Sequence, residues 1–494
     1  MISVAIAFVV SLLFSAILTP VLRDFAVRKN WVDVARSTRK VHTRPVPRVG
    51  GIAIAAAFFV PLVGLLLVDS GVGRIFFANP RIPAGIFCGG LLVALVGIYD
   101  DLKGLGALKK FGAQFLVAAV MYGFGFAIER ISTPWGAVGL GALSLPFTLI
   151  WIVGVINAVN LIDGLDGLAS GVSFVAVATI FVIAAASGNV IMMLLMAALA
   201  GSLLGFLIYN FNPASIFMGD SGSMFLGFVL ATGSVVTSSK SSTTVAMLVP
   251  ILALGLPIMD TLLAMARRAL RGQSLMAADK EHVHHRLLAL GLSQRSAVIV
   301  LYGVGVLFAL AALATTFANG RQAAAILAMV VIVAAVFMRK LGYFSKVLFE
   351  DASAHRAHNL VMREQVRNVG ALLREAATPA QAWVVIQPLA ASLHASEVTL
   401  VWHSAAAQGG LATNRFEWRV DSRAECARTG ASLPIRVGDQ LVGELQLAWR
   451  DGRKAIERDD EIVLERLGEH LIEAAKRMDR QLADEGDVPL QKSA

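Results

Sequence analysis

The sequence predicts an all-α polytopic membrane protein of about eleven transmembrane helices, followed by a C-terminal cytoplasmic α+β domain. The 494 residues are 56% hydrophobic and only 16% charged, with a mean hydropathy of +0.70. Soluble domains do not have that balance. Apolar runs recur at close to the ~20 residues that a helix needs to cross ~30 Å of hydrocarbon. From about residue 341 the composition shifts to that of a water-facing domain.

In chain order, the apolar runs place spans near 1–22, 50–69, 83–99, 112–129, 143–160, 167–187, 190–209, 222–238, 244–265, 297–317 and 321–338. The first has neither a basic start nor a small-residue cleavage pattern, so it reads as an anchor and not as a signal peptide. Loop charges set the orientation. Arg23, Arg28, Lys29, Arg36, Arg39, Lys40, Arg44 and Arg48 fill loop 23–48, Lys103, Lys109 and Lys110 follow the third span, and Arg267, Arg268, Arg271, Lys280, Arg286 and Arg295 lie in 266–296. The alternate loops hold only Arg74, Arg81, Arg130, Lys240 and Arg321. By the positive-inside rule the N-terminus lies outside and the C-terminus in the cytoplasm. Residues 341–494 contain 19 basic and 22 acidic side chains, so the net charge of +9 belongs wholly to the apolar part. That excess suits the lipid bilayer and polyanionic substrates and is not a nucleic-acid footprint. Cys88 in a span and Cys426 in the tail give no disulfide framework.

The tail divides into a helical linker, 341–379, and a domain, 380–494. Helical runs at 355–377, 380–393 and 457–481 surround strand-like stretches at 397–403, 415–420, 433–437 and 441–449, with a hairpin turn at Val437-Gly438-Asp439. This order loosely resembles a GAF-like sensory domain, which implies a cytoplasmic regulator acting through 351–494. The polar helix 350–377 offers an alternative, a coiled-coil stalk for a homodimer. No set of Cys, His and acids suggests a metal or haem there, and His394 and His403 read as ordinary surface or core residues.

Span alternation puts every strongly polar cluster on one membrane face: Asp100-Asp101, the run Asn157 to Gly167 (NAVNLIDGLDG), Asn210, Asp220 within Met218-Gly219-Asp220-Ser221-Gly222, and His282, His284 and His285 in HVHH. Acids at a hydrocarbon boundary are costly unless paired, hydrated or metal-bound, so their collection on one side marks an active site. Asn160, Asp163 and Asp166 are three apart, which aligns them on one helical face. The plainer reading makes them turn and cap residues. Asp220 opens a helix, where free N–H groups and two flanking glycines suit a phosphate beside a divalent cation; it too has an ordinary capping alternative. The adjacent Asp100 and Asp101 repel unless a cation or a shared proton relieves them. Lys280 and Arg286 flank the histidines, so the stretch reads as a cationic clamp for an anion in preference to a zinc site, for which no cysteine is near.

Together NAVNLIDGLDGLASG, NFNPASIFMGDSGS, YDDLKGL and DKEHVHHRLLALGLS resemble the polyprenyl-phosphate N-acetylhexosamine-1-phosphate transferases (glycosyltransferase family 4). HVHH followed by Arg-Leu-Leu is closest to the bacterial undecaprenyl-phosphate GlcNAc-1-phosphate branch. The resemblance spans roughly residues 1–340. It implies Mg²⁺, with Mn²⁺ as a substitute, held by Asp220, and a nucleotide-sugar site lined by Asn160, Asp163 and Asp166 that also helps to hold the metal. Asn210 matches an asparagine before the metal aspartate, Phe217 an aromatic that stacks on uracil, and Lys110 a lysine near the phosphates. Asp100 and Asp101 match a pair assigned to the lipid phosphate, and His282, His284 and His285 a motif facing the diphosphate. In the first loop His42, Pro45, Arg48, Gly50 and Gly51 resemble a phosphate-contacting segment.

The implied reaction is attack of undecaprenyl phosphate on the β-phosphorus of a UDP-N-acetylhexosamine, with UDP-GlcNAc the expected donor and UDP-GalNAc or a deoxy-N-acetylhexosamine next, and with UMP leaving. Direct displacement is preferred to an aspartyl-phosphate intermediate because a phosphate is already a competent nucleophile. A transporter or proton pathway is the competing class. It would need polar groups near the bilayer midplane, whereas these acids lie at one edge.

Overall fold

The computed structural model describes residues 1–33, 46–67, 71–78, 80–133, 136–239, 248–270, 281–343, 362, 364–393, 395–405, 411–419, 429–437, 440–449 and 458–486. His42, Pro45, Lys280, His394, Cys426 and the hairpin tip Gly438-Asp439 lie outside them. The chain forms two compact units, one of residues 1–267 with 275–345, the other of 268–274 with 346–494.

The first unit is helical. Its elements are α1 (Ile2–Arg28), α2 (Gly50–Leu67), α3 (Gly71–Ala78), α4 (Arg81–Lys103), α5 (Ala107–Gly123), α6 (Ser144–Ile162), α7 (Leu168–Ala186), α8 (Val190–Asn210), α9 (Gly219–Ser239), α10 (Leu248–Ala253), α11 (Gly255–Leu270), α12 (Val283–Ala289), α13 (Gln294–Thr316) and α14 (Gly320–Lys340). Two short antiparallel pairs accompany them, β1 (Val32–Asp33) with β2 (Val46–Pro47), and β3 (Arg130–Thr133) with β4 (Gly136–Gly139). Helix is present at all eleven expected segments, and seven of the helices are long and apolar enough by themselves to cross a membrane. Three departures have physical causes. The segment near 112–129 starts earlier and stops at Gly123, where Gly125 takes φ +93° and the chain turns into β3. The segment near 244–265 is broken between α10 and α11, where Pro257 cannot donate to the preceding turn. And α1 runs on past residue 22 to Arg28, whose charge favours a helix C-terminus.

Helix α8 is the hub: 83% of its apolar stretch is buried, against 11% for α14, which leaves α14 on the lipid side. Against α8, α1 packs through small residues, with Gly201 and Gly205 under its backbone. Ser15 Oγ donates to Ser202 O at 2.7 Å and Tyr209 Oη to Ala16 O at 3.0 Å. Helices in lipid associate this way, by close backbone approach and hydrogen bonds, because apolar burial gives them no advantage over lipid tails.

The second unit has helices α15 (364–375), α16 (Pro379–Ser392) and α17 (Arg458–Gly486) and a four-stranded antiparallel sheet in the order β6-β5-β8-β7. Its strands are β5 (Glu397–Ala405), β6 (Leu411–Arg419), β7 (Thr429–Val437) and β8 (Gln440–Trp449). Pairing of Val437 with Gln440 makes β7 and β8 a hairpin. One sheet face and the inner stripe of α17, including Leu467, Leu471 and Ala474, close a core around Leu400, Leu445 and Trp449. Trp449 is fully buried and its indole N–H donates to Leu393 O at 2.9 Å, so its polar atom is satisfied.

Candidate active site

The polar end of the first unit is assembled by glycines. Phe217 N–H donates to Pro47 O at 2.8 Å, Gly50 N–H to Phe217 O at 3.0 Å and Gly51 N–H to Met218 O at 2.8 Å, zipping the start of α2 to the segment before α9. A side chain on Gly51 would fall on the Gly222 backbone, and one on Gly97 of α4 on that of Ser221. Gly219, at φ +72°, would set a Cβ against Arg48 O and the Asp101 carboxylate; only glycine combines that backbone with that closeness. The N-terminus of α9 is therefore wedged between α2 and α4.

Asp101 serves that wedge. Its carboxylate accepts from Asp220 N–H at 2.8 Å and Ser221 N–H at 3.0 Å, an anion on the positive end of α9. Asp100 faces elsewhere: its Oδ1 accepts from Leu105 N–H at 2.5 Å, and Lys110 Nζ on α5 lies 2.8 Å from its Oδ2. The same ammonium lies 2.8 Å from Asp220 Oδ2. Asn160 Nδ2 at the end of α6 donates to Asp220 Oδ1 at 2.6 Å and to Ser223 Oγ at 2.8 Å. Four elements thus meet on Asp220. One ammonium between two carboxylates leaves the cluster net negative.

The other predicted residues divide. In the turn after α6, Asp163 N–H donates to Asn160 O at 3.3 Å, its carboxylate has no hydrogen-bond partner among the described residues, and burial pushes its pKa up to about 7 against the pull of Arg48. Asp166 instead clasps the loop after α8, its Oδ2 accepting from Asn212 Nδ2 and Ala214 N–H at 3.0 Å each. Asn210 is buried, accepting from Ser170 Oγ at 2.6 Å and donating to Ile216 O at 3.0 Å. Both shape the site's walls. Phe217 is half-buried in the zipped segment, and Arg48 is exposed at its edge.

The histidines reach the acids through His284, whose imidazole packs where a side chain on Gly164 would stand, in the Asp163 turn. Its ring lies parallel to that of His282 at 5.7 Å and tilted against His285 at 4.3 Å. Burial and the neighbouring His285 lower the His284 pKa to about 3, so this ring is neutral. Arg286 turns away: it bonds Glu281 Oε2 at 2.6 Å and Leu341 O at 3.3 Å and stacks 4.5 Å over Tyr343. Of the expected cationic clamp, Arg286 is engaged by Glu281 and Lys280 lies outside the described residues, while the His284 ring stacks in an aromatic wall beside the acid turn.

Some participants lie outside the motifs. Asp260 on α11 is 2% exposed and holds His282 Nδ1 at 2.8 Å. Gln114 accepts from Asn157 Nδ2 at 2.7 Å one turn below Lys110 and Asn160. Tyr302 Oη donates to Gly167 O at 2.6 Å, fixing the acid turn from α13. An acid inside an apolar segment is itself a signal, and Asp260 carried it.

A metal is judged by charge and donors. Among the described residues no group of three or more His, Cys, Asp or Glu forms a ready-made cage. Magnesium rarely needs one, since one or two carboxylates, waters and substrate phosphates complete its shell. A net-negative cluster with carboxylate and amide oxygens fits such a cation at Asp220, beside Asn160.

Comparison with known proteins bears on the same region. Glycosyl transferase family 4 matches residues 83–238, which include α4 to α9 and the cluster on Asp220. The chain is 40% identical over 315 residues to a probable undecaprenyl-phosphate N-acetylglucosaminyl 1-phosphate transferase of Bacillus subtilis (strain 168), covering 63% of this chain and 85% of that protein. With a decaprenyl-phosphate N-acetylglucosaminephosphotransferase of Mycolicibacterium smegmatis it shares 35% over 342 residues, 64% of this chain and 82% of the relative. A phospho-N-acetylmuramoyl-pentapeptide-transferase of Shouchella clausii is 28% identical over 324 residues, 62% of this chain and 94% of its own length.

Proposed function

Since the chain belongs to glycosyl transferase family 4, we propose that it transfers N-acetylglucosamine 1-phosphate from UDP-GlcNAc to undecaprenyl phosphate and releases UMP, an early membrane step in cell-envelope polysaccharide synthesis. It is a multi-pass membrane protein, with the site at the cytoplasmic face of the inner membrane, where a soluble nucleotide sugar meets a lipid headgroup. The observation that carries the reading is Lys110 held between Asp100 and Asp220 at 2.8 Å from each. A cation already sits where two anionic substrates must be brought together.

In this reading an oxygen of the lipid phosphate attacks the β-phosphorus, a new P–O bond forms, and the bond from that phosphorus to the bridging oxygen breaks, with the electron pair leaving on UMP. Both oxygens of Asp101 are held by backbone N–H groups at the start of α9, whereas Asp100 has one oxygen on the Leu105 N–H and shares the other with the Lys110 ammonium, so Asp100 is the member of the pair assigned to the lipid phosphate. Lys110, released from carboxylate to phosphate, offsets charge on the diphosphate. Asp163, whose carboxyl has a pKa of about 7 and no hydrogen-bond partner among the described residues, is the candidate to hold or pass a proton at the turn. Mg²⁺, or Mn²⁺ in its place, held by Asp220 with Asn160 beside it, supplies Lewis-acid neutralisation of the phosphates when bound. Phe217 is the candidate to stack on uracil.

The C-terminal α+β unit is read as a GAF-like cytoplasmic regulator from its order of helices and strands, with a coiled-coil stalk for a homodimer as the alternative reading of its linker. Membranes containing the protein, supplied with undecaprenyl phosphate and a panel of UDP-sugars, test the activity. A lipid-linked product heavier by one N-acetylhexosamine phosphate, formed with UMP from UDP-GlcNAc, is expected. Solute uptake without lipid-linked product would favour transport and defeat the proposal.

A further inference from the structure

We propose that Asp260 is a positioning residue for this transfer: it fixes His282 in the tautomer protonated on Nδ1, leaving Nε2 bare as the ring nitrogen that accepts a proton from the P–OH of the incoming phosphate. Asp260 lies in the apolar helix α11 with 2% exposure, where an unpaired carboxylate is costly. Both its oxygens are committed to one neighbour, the start of α12. Oδ2 lies 2.8 Å from His282 Nδ1 and Oδ1 accepts from Val283 N–H at 2.9 Å. An ionised carboxylate only accepts, so Nδ1 carries the proton between them. His282 Nε2 has no partner among the described residues. From there the path to the acids is short: His282 stacks in parallel on His284, and His284 packs on Gly164 beside Asp163. One buried carboxylate thereby sets both the place of the histidine wall and the chemistry of its first ring, as outer-shell carboxylates do for working histidines elsewhere.

The alternative is that Asp260 merely caps α12. Asp260→Asn separates the two, because the amide oxygen keeps the Val283 bond while the NH₂, donating to Nδ1, moves the ring proton to Nε2. The inference rests on the proposed transfer, so its test has one readout that needs no activity. In ¹⁵N-histidine-labelled protein in lipid nanodiscs, with His282→Asn assigning the signal, His282 is expected as the Nδ1–H tautomer, switching to Nε2–H in Asp260→Asn. In turnover, Asp260→Asn is expected to lower kcat by about 10- to 100-fold with KM for UDP-GlcNAc within about twofold, and to cost nothing further in a His282→Asn background. An Nε2–H signal in the unmodified protein, unchanged kcat in Asp260→Asn, or full additivity with His282→Asn would overturn the proposal. Should Asp260→Asn not fold, Asp260→Glu keeps the acceptor, and the same cycle decides. Absence of transfer by the unmodified enzyme would remove the proposed function, while the tautomer would still be read.

Discussion

Lys110 and Arg415 are both cations in ion pairs, yet they show how differently the two units of this chain use charge. Lys110 has a side chain 14% exposed and joins α4, α5 and α9 through two carboxylates. Arg415 is 66% exposed and pairs with Glu417, 57% exposed, two residues along the same strand. A pair that is desolvated and shared among elements loses its partner's compensation when broken, whereas an exposed pair between near neighbours is screened and contributes little. In the first unit charge organises chemistry. In the second the organising is done by Trp449, Leu445 and the inner stripe of α17.

That contrast can be broken at either end. The largest effect is expected from Asp220→Asn, which keeps the size of the side chain but removes the charge that Lys110 and a bound cation would share; transfer should fall by at least about 1,000-fold in a UMP-release assay at saturating Mg²⁺. Gly51→Ala comes next. Its methyl would fall on the Gly222 backbone, shifting the start of α9, and a displacement of about 1 Å is enough to cost about 100-fold in kcat. Gly164→Ala, which pushes on the His284 imidazole, should lower kcat by about 10-fold, with normal yield of folded protein. In the second unit, Trp449→Ala should cost that unit about 3–5 kcal/mol, seen by thermal melting, while basal transfer persists; loss of transfer would mean that catalysis leans on the C-terminal unit. Smallest of all, Glu469→Ala, breaking an exposed pair with Arg466, should change stability by no more than about 0.5 kcal/mol.

The helices were legible in the sequence because a bilayer demands a length and an apolar composition, and among the described residues seven helices meet both. The clustering of the acids was legible for a similar reason, since span parity sends Asp100, Asp163 and Asp220 to one face. What could not be read was which carboxylates are spent on architecture. Asp101 and Asp166 look in sequence like Asp100 and Asp163, but the first caps α9 and the second clasps the 212–214 loop. That division depends on glycine contacts between helices far apart in the chain, such as Gly51 with Gly222. Arg286 shows the same limit, as its partner Tyr343 is more than fifty residues away. Asp260 gives a readable sign, an acid in an apolar stretch, but its partners His282 and Val283 are set by where α12 docks, which no local pattern carries.

The central claim is that Asp220, Lys110, Asp100 and Asn160 form one site that moves a sugar phosphate to a lipid. Its most direct test is purified protein in nanodiscs with undecaprenyl phosphate, Mg²⁺ and UDP-GlcNAc labelled in the sugar, counting nucleotide released against lipid-linked label for the unmodified protein and Asp220→Asn. The account predicts one UMP for each labelled lipid and no turnover by the variant. Release of UDP in place of UMP, or an Asp220→Asn enzyme that keeps its rate, would contradict it.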